Sequence, residues 1–304
     1  MLRLSALAVL APLAALALQG PVPEAPSFRV DVKLVNVLAT VKDARGGTIG
    51  GLERDDFTVL AAGVPQQIAI FERQTDRRLS VVMLFDVSPS VAKERKFEQE
   101  AALRFLRALL GTGSNPADRV AVHRFSDFVD EAQAFTSSLA RLEKAVTSSH
   151  RRGGTSVYDA LYLAAHTLEK RQGRKVIVIL TDGGDTTSTT SFHQAQEACQ
   201  LADAVIYSIV LVPIISDSGR NLGGENALKT LSANTGGLAF VQDGPARLDE
   251  SFRQIERDLR TQYLVAFYPR GLPSSKDRFR RIDLRVNRPG LRVLARSGYY
   301  SPPD

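Results

Sequence analysis

The amino-acid sequence predicts an α/β protein with a doubly wound, mostly parallel sheet flanked by helices and with strand-rich segments at both ends. Three observations lead to this prediction. Short runs rich in Val and Ile alternate with amphipathic helical patterns through the middle of the chain. The segments before and after this middle region alternate like strands instead. The chain has 304 residues, 44% of them hydrophobic, which is enough for one large or two modest domains.

The first twenty residues have the layout of a secretory signal. An apolar run follows Arg3, and small residues suited to cleavage lie at residues 17–20. An uncleaved membrane anchor is the alternative, but the run is short for a span and Pro12 interrupts it. We therefore expect residues 1–20 to be a signal peptide. The mature protein would be secreted or periplasmic, with no stable membrane span after cleavage.

Composition argues against a nucleic-acid-binding protein. The formal net charge is +6, and Lys and Arg are spread over several predicted helices, with a denser patch at residues 270–296. No interleaved aromatic platform accompanies the patch, so we interpret its basic residues as outward-facing positions of exposed strands. The single cysteine, Cys199, excludes an intramolecular disulfide and lies in a helical pattern where a small buried residue is expected.

Two strand-rich segments flank the middle of the chain, at residues 28–75 and 263–300. The first contains FRVDVKLVNVLATV and DFTVLAAGVPQQIAIFER, with the turn-forming DARGGTIGG between them. In the second, FRRIDLRVN and LRVLARSGYY are predicted to form a hairpin across the step at residues 289–290. Each segment alone is small for a core. We expect them to pair into one β-sandwich-like domain into which the middle region is inserted.

Residues 79–262 are predicted to form the doubly wound sheet. The runs LSVVMLFD, DRVAVHRFSD, KVIVILTD and AVIYSIVLV are short and rich in Val and Ile, which is typical of buried parallel strands. Helical periodicity appears in AKERKFEQEAALRFLRALLG, SVYDALYLAAHTLEK, SFHQAQEACQLA and ARLDESFRQIERDLR. Strands that alternate with helices in this way favour a parallel sheet with helices on both faces.

Oxygen-bearing side chains follow two of these predicted strands. Asp86 ends the first strand, with Ser88 and Ser90 at alternate positions after it, and Asp182 ends KVIVILTD. Thr155, after two glycines, lies between them in the chain. Taken singly, each residue has a simpler interpretation as a helix cap or turn residue. In a doubly wound sheet, however, ligand sites form outside the carboxyl ends of strands where the strand order reverses, so these residues should meet.

The donor set suits a hard divalent cation. Mg²⁺ prefers six oxygen ligands and usually keeps several waters. Two carboxylates balance its charge, while neutral hydroxyls that bind directly leave it electrophilic. All-oxygen ligation disfavours softer metals, so Mg²⁺ or Mn²⁺ is expected. One coordination position would stay open for an acidic group from a partner.

Asp86-x-Ser88-x-Ser90, Thr155 and Asp182 resemble the metal-ion-dependent adhesion site of von Willebrand factor type A domains. The order in the chain, the glycines before the threonine and the TDG sequence at the second aspartate all agree with that family. The resemblance spans residues 79–260. It implies that the two serines and the threonine contact the metal, and that the aspartates act directly or through water.

The flanks are similar to a secreted bacterial group known as VWFA-related Acidobacterial proteins, through GLERDDFTVL and RPGLRVLARSGYY. One departure from the family pattern is Pro89, where a small or flexible residue is frequent. Proline donates no ligand, so the departure leaves the predicted site intact. Nothing in the sequence resembles the second, adjacent metal site of some relatives, although Asp185 is a weak candidate to join the first.

Motifs of common enzyme classes are absent from the sequence. It has no G-x-S-x-G nucleophile elbow, no G-x-x-x-x-G-K-[ST] phosphate loop and no zinc-binding spacing among its histidines. A haloacid-dehalogenase-type phosphatase would need a second acid where Ser88 stands. His150 is near Thr155 in sequence and a general-base role is conceivable, but a surface-loop histidine is the simpler interpretation. We therefore expect no catalysis.

These observations favour a metal-dependent protein-binding module that captures an Asp or Glu side chain of a partner protein. The alternative is a structural or assembly factor of the cell envelope in which the metal mainly stabilises the fold. The two differ in whether removal of the metal abolishes partner capture or lowers the stability of the fold.

Overall fold

The computed structural model describes residues 34–73, 77–91, 95–148, 153–212, 221–242 and 245–301, without the side chains of Ser90, Pro245 and Ala246. The signal peptide expected at residues 1–20 lies outside these ranges and stays a prediction. The same holds for the start of the first predicted strand, residues 28–33.

The elements alternate between strands and helices through the middle of the chain. The strands are β1 (Val35–Lys42), β2 (Phe57–Ala61), β3 (Val64–Gln66), β4 (Ile68–Arg73), β5 (Leu79–Asp86), β6 (Arg119–Phe125), β7 (Val129–Thr136), β8 (Arg174–Thr181), β9 (Ala204–Leu211), β10 (Ala239–Gln242), β11 (Tyr263–Phe267), β12 (Phe279–Val286), β13 (Arg292–Ala295) and β14 (Gly298–Tyr300). The helices are α1 (Arg95–Leu110), α2 (Leu139–Thr147), α3 (Val157–Glu169), α4 (Phe192–Leu201), α5 (Leu222–Thr235) and α6 (Pro245–Arg260).

A six-stranded sheet forms the centre of the molecule, in the order β10-β9-β8-β5-β6-β7. Its strands are parallel except for β7, which is antiparallel to β6. The chain fills one side of β5 with β6 and β7 and then the other side with β8, β9 and β10, so the strand order reverses at β5. This arrangement confirms the predicted fold class.

Helices cover both faces of this sheet, because alternate residues of each strand point to opposite faces. On one face, Met83 packs with Phe105 of α1 and Phe252 of α6, whose rings stack with centroids 4.8 Å apart. On the other face, Leu84 packs with Leu161 of α3. All eight residues of β5 are buried, as expected for a central strand covered on both sides. None of the helices in the described ranges is long and apolar enough to cross a membrane.

Two four-stranded antiparallel sheets join the beginning of the described chain to its end. One has the order β13-β1-β11-β4 and the other β14-β12-β2-β3. Val37 of β1 and Val265 of β11 pair in the first sheet, and Val59 of β2 and Leu284 of β12 pair in the second. All four side chains lie in one shared core, so the two sheets pack as a sandwich. The exact domain boundaries stay a prediction.

The predicted hairpin at the carboxyl-terminal end is confirmed in part. The tight turn exists, since Leu291 N–H hydrogen bonds to Arg288 O and Gly290 adopts φ of 75°. Beyond the turn, β14 pairs antiparallel with β12, as a hairpin requires, but β13 pairs with β1 in the other sheet. Alternation in the sequence indicates a strand but does not say which sheet edge that strand will cover.

A buried ion pair links the sandwich to helix α6. Lys42 at the end of β1 donates to Asp258, and their side chains are 1% and 0% exposed. The same carboxylate oxygen of Asp258 accepts hydrogen bonds from Thr48 Oγ1 and Gln254 Nε2, each at 2.7 Å. Because both charges are out of water, each one depends on the other for compensation.

Candidate metal centre

The central sheet brings Asp86 and Asp182 to the same edge. Strands β5 and β8 are adjacent and parallel, with Phe85 opposite Leu180, so both chains leave the sheet side by side. Thr181 Oγ1 donates a 2.6 Å hydrogen bond to Asp86 Oδ2, and Asp182 is the next residue. Asp86 is 2% exposed, while Asp182 is half-buried.

The loop after β5 holds Ser88 against Asp86. The Ser88 N–H donates to Asp86 Oδ1 at 2.9 Å, and the Ser88 hydroxyl also hydrogen bonds to the same carboxylate. Val87 N–H donates to Phe125 O at 2.9 Å, which ties the loop to the end of β6. Arg95 of α1 donates to the carbonyls of Val87 and Ser88 at 3.0 and 3.1 Å. Backbone and side-chain bonds together therefore fix the path of this loop.

Thr155 lies in a loop that rests on the segment following β8. Its N–H donates to Thr186 Oγ1 at 2.9 Å, and its carbonyl accepts from Thr186 N–H at 2.8 Å. Ser156 N–H donates to Ser126 O at 2.6 Å, so the loop is also fastened to the end of β6. Thr155 is buried, yet its hydroxyl has no hydrogen-bond partner within the described part of the chain. Its lone pairs are therefore free to bind an ion.

The glycine before Thr155 has a steric explanation. Gly154 adopts φ of 82°, a conformation that L side chains rarely adopt. A Cβ at this position would also come within 2.8 Å of Thr187 Cγ2 and 3.2 Å of Asp127 Cβ. The close approach of the two loops at Thr155 therefore requires glycine here.

Four of the five predicted site residues lie at this edge of the sheet: Asp86, Ser88, Thr155 and Asp182. The fifth, Ser90, lies in a short 3-10 helix, Pro89–Val91, and its side chain is outside the described structure. His150 is also outside the described residues.

Asp185, the weak candidate to join the metal site, binds the start of α3 instead. Its Oδ1 accepts hydrogen bonds from Val157 N–H at 2.8 Å and from the Ser188 hydroxyl. That oxygen is therefore engaged at the start of α3.

The electrostatics of the pair favour a bound cation. Burial and, to a smaller extent, the neighbouring charge of Asp182 raise the pKa of Asp86 to about 6, against the hydrogen bonds from Ser88 and Thr181, which lower it. In the described ranges, no Lys, Arg or His side chain forms an ion pair with Asp86 or Asp182. A buried carboxylate without a positive partner is costly, and a cation between the two would remove that cost.

The donor chemistry fits Mg²⁺ or Mn²⁺. Two carboxylates and neutral hydroxyls make an all-oxygen set, which hard divalent cations prefer. Among the described residues there is no cluster of three or more His, Cys, Asp or Glu side chains. A metal at this edge would therefore need hydroxyl ligands, which Ser88 and Thr155 would supply.

Sequence reasoning did not single out Thr181, which donates to Asp86, or Thr186, which holds Thr155. A signal for Thr181 was available. It is the last residue of a buried strand and is polar, next to the predicted ligand Asp182. No comparable signal marks Thr186, because it lies in a loop of several similar Thr and Ser residues.

Comparison with known proteins agrees with the fold of the central sheet. Residues 81–185 match the family model described as the von Willebrand factor type A domain. The middle of the chain has a von Willebrand factor type A-like fold. The match ends just beyond Asp182, and it includes the Asp86 loop and Thr155. No curated protein sequence matches the chain.

Solved structures share the fold of the type A domain. One is the vWF domain of the type V pili tip protein Mfa5 from Porphyromonas gingivalis, with 15% identity, a TM-score of 0.50 and coverage of 59% of this chain and 94% of that one. Another is the pilus adhesin SpaC from Lactobacillus rhamnosus GG in an open conformation, with 10% identity and a TM-score of 0.51. That match covers 70% of this chain but only 35% of SpaC. At such low identity these likenesses concern the fold alone.

Proposed function

We propose that this protein is a secreted or periplasmic, divalent-metal-dependent protein-binding module of the adhesion type. Its metal site would be held by Asp86, Ser88, Ser90, Thr155 and Asp182, and would capture an Asp or Glu side chain of a partner protein. One observation carries the proposal: at the sheet edge where Thr155 is held, two neighbouring carboxylates have no cationic partner among the described residues, and the Thr155 hydroxyl has no hydrogen-bond partner among them.

The ligand chemistry explains why the occupant would be a carboxylate. Mg²⁺ or Mn²⁺ bound mainly by neutral hydroxyls keeps much of its positive charge and attracts an external anion. Among protein side chains, Asp and Glu supply such an oxygen anion. The residues of this chain would orient the ion and leave one position facing outward.

Catalysis has less support. Hydrolysis would need a base positioned to activate water. Near Thr155, Asp185 is occupied at the start of α3, and Asp159 accepts backbone N–H groups of Thr189 and Thr190 at 3.1 and 2.8 Å. Neither carboxylate is free in the way that a general base requires.

The type A domain and the two structural likenesses support the adhesion role and a location outside the cytoplasm. Mfa5 is described as a pili tip protein and SpaC as a pilus adhesin. Both descriptions belong to those proteins, and their low identity to this chain makes adhesion a proposal here. The expected signal peptide at residues 1–20 is in line with the same location.

Two measurements test the proposal. Titration calorimetry with MgCl₂ and MnCl₂ should detect binding by the wild type, weakened about 10–100-fold or more in Asp182→Ala, with an unchanged circular dichroism spectrum. Immobilised protein should then capture a partner from the native envelope only without EDTA. The double variant Ser88→Ala with Ser90→Ala should abolish capture, and Arg281→Gln in the basic carboxyl-terminal patch should leave it unchanged. Equal Mg²⁺ binding by wild type and Asp182→Ala, or capture that persists in excess EDTA, would contradict the proposal.

A structural role for the metal is the second candidate. The raised pKa of Asp86 favours it, because a cation that offsets a buried charge also stabilises the fold. The two roles separate in one experiment. If chelation lowers the unfolding temperature strongly while partner capture by the folded protein persists, the metal is structural. If capture is lost while the unfolding temperature changes little, the metal serves binding.

A further inference from the structure

The segment after β8, residues 185–190, is hydrogen bonded along its length to residues 155–159 at the start of α3. Asp185, Thr186, Thr187, Ser188, Thr189 and Thr190 each take part. Such a continuous set of contacts between two loops fixes their relative position. These contacts, made mostly by side-chain oxygens, lie beside the candidate metal centre.

Asp185 fastens the beginning of α3. Its Oδ1 accepts from Val157 N–H at 2.8 Å and from Tyr158 N–H at 3.4 Å. Ser188 Oγ, which donates to Asp185, accepts from Tyr158 N–H at 3.0 Å and from Asp159 N–H at 3.2 Å. These N–H groups belong to the first turn of a helix, where no carbonyl within the helix is available to them.

The attachment is reciprocal. Asp159 Oδ1 accepts from Thr190 N–H at 2.8 Å, and its Oδ2 accepts from Thr189 N–H at 3.1 Å. Each segment thus contributes one aspartate that binds the backbone of the other. These bonds hold the pKa of Asp159 below its usual range, despite partial burial.

Thr155 is bracketed by these contacts. Thr186 binds its N–H and its carbonyl, and Asp185 binds Val157 N–H two residues further on. Between them, the Ser156 hydroxyl contacts Thr187 Oγ1 at 2.8 Å. Backbone on both sides of Thr155 is therefore fixed, and with it the position from which the Thr155 side chain extends.

We infer that Asp185 is a positioning residue of the metal site: it sets the Thr155 hydroxyl in place by binding the first turn of α3, without touching the metal. The inference rests on the proposed function, because it assigns a role to Asp185 within that site. It follows that metal affinity depends on the hydrogen-bond acceptor at residue 185 and not on its charge. The effect of residue 185 on metal affinity should also require the Thr155 hydroxyl.

The test measures Mn²⁺ affinity from the electron paramagnetic resonance signal of free Mn²⁺. Asp185→Ala should bind about 10–100-fold more weakly, as is usual when support for a ligand is lost. Asp185→Asn, which keeps Oδ1 as an acceptor, should stay within about threefold of the wild type. In a double-mutant cycle, Asp185→Ala with Thr155→Ala should lose little more than Thr155→Ala alone, because both changes remove the same ligand.

A structural role alone would give different results. Asp118→Ala is the matched control, since Asp118 is a buried aspartate that accepts Leu79 N–H at 2.6 Å at the opposite edge of the sheet. It should lower the unfolding temperature and leave Mn²⁺ affinity unchanged. If Asp185→Ala does not fold, Thr186→Val serves instead: Thr186 is exposed, and losing one hydrogen bond should weaken Mn²⁺ binding about threefold to tenfold.

Several outcomes would overturn the inference. Asp185→Asn as weak as Asp185→Ala would mean that the charge matters, and additive losses in the cycle would mean that Asp185 acts independently of Thr155. Unchanged affinity in Asp185→Ala or Thr186→Val, with affinity lost in Asp182→Ala, would refute the positioning role alone. Wild-type affinity in Asp182→Ala would instead refute the proposed metal site, and the inference with it.

Discussion

Replacing Asp86 with Asn should make the metal-free protein more stable at neutral pH. Asp86 is 2% exposed, and burial raises its pKa from 3.8 to about 6. Each pKa unit is worth about 1.4 kcal/mol between protonation states, so keeping Asp86 ionised in the fold costs about 3 kcal/mol. Asn has nearly the same shape and carries no charge. Its carbonyl can still accept from Ser88 N–H, so most of this cost should be recovered.

The sign of the pH dependence follows from the raised pKa. The native state binds a proton more tightly than the unfolded chain does, so the stability from this group is complete below pH 3.8. It is lost as the pH rises through about 6. Between about pH 5 and about pH 7.5, the wild type should lose about 1.4 kcal/mol of unfolding free energy relative to Asp86→Asn.

Urea unfolding in EDTA, followed by circular dichroism at both pH values, measures this difference. Comparing the variant with the wild type at each pH cancels the contributions of all other titrating groups. Adding Mg²⁺ at about a hundredfold excess over its dissociation constant should stabilise the wild type by about 2.7 kcal/mol and leave Asp86→Asn unchanged. If wild type and variant show the same pH dependence in EDTA, or if the wild type is the more stable at neutral pH, the argument from the buried charge is wrong.

Three further predictions concern the fold around the site. Lys42→Ala should lower the unfolding free energy by about 3–5 kcal/mol in urea titrations, because it leaves the buried Asp258 carboxylate uncompensated. Gly154→Ala should weaken Mn²⁺ binding in calorimetry, since the added methyl meets Thr187 at 2.8 Å and φ is 82°. Deleting residues 263–304 should leave the amino-terminal strands sensitive to limited proteolysis while the type A domain persists, because β1 and β2 lose their partners. Unchanged protection of those strands, detected by mass spectrometry of the fragments, would contradict the prediction for this deletion.

The central strands could be predicted from the sequence because they are buried almost completely. Strands β5 and β8 are buried on both faces, so their sequences are nearly continuous runs of Val, Ile and Leu. The edge strand β7 is half-exposed along its length, and VDEAQAFT gives no comparable signal. Helix α5 was also not singled out. It begins LGGENA, and Gly224 is needed because a Cβ there would lie 1.6 Å from Gly183 O.

Some residues of the candidate site could be predicted from the sequence and others could not. Asp86 and Asp182 were predictable because each ends a buried strand, and neighbouring parallel strands must end at one edge. The role of Asp185 was not predictable, because it depends on how close the loop after β8 comes to the start of α3. That distance is a result of packing between α3 and the sheet, on which sequence spacing carries no information.

The β-sandwich lies at the end of the central sheet opposite the candidate metal centre. A cavity between the sandwich and the sheet is lined by Leu38 of β1, Leu264 of β11 and Arg174 at the start of β8. Arg296, just after β13, donates to Asp203, immediately before β9. These contacts lie at the amino ends of the central strands, whereas the candidate metal centre lies at their carboxyl ends. The sandwich therefore contacts the sheet at the end opposite the candidate metal centre, and Arg296 of the basic patch takes part in that contact. A partner at the metal centre would meet the loops of the type A domain alone, so its specificity should be set by those loops and not by the flanks.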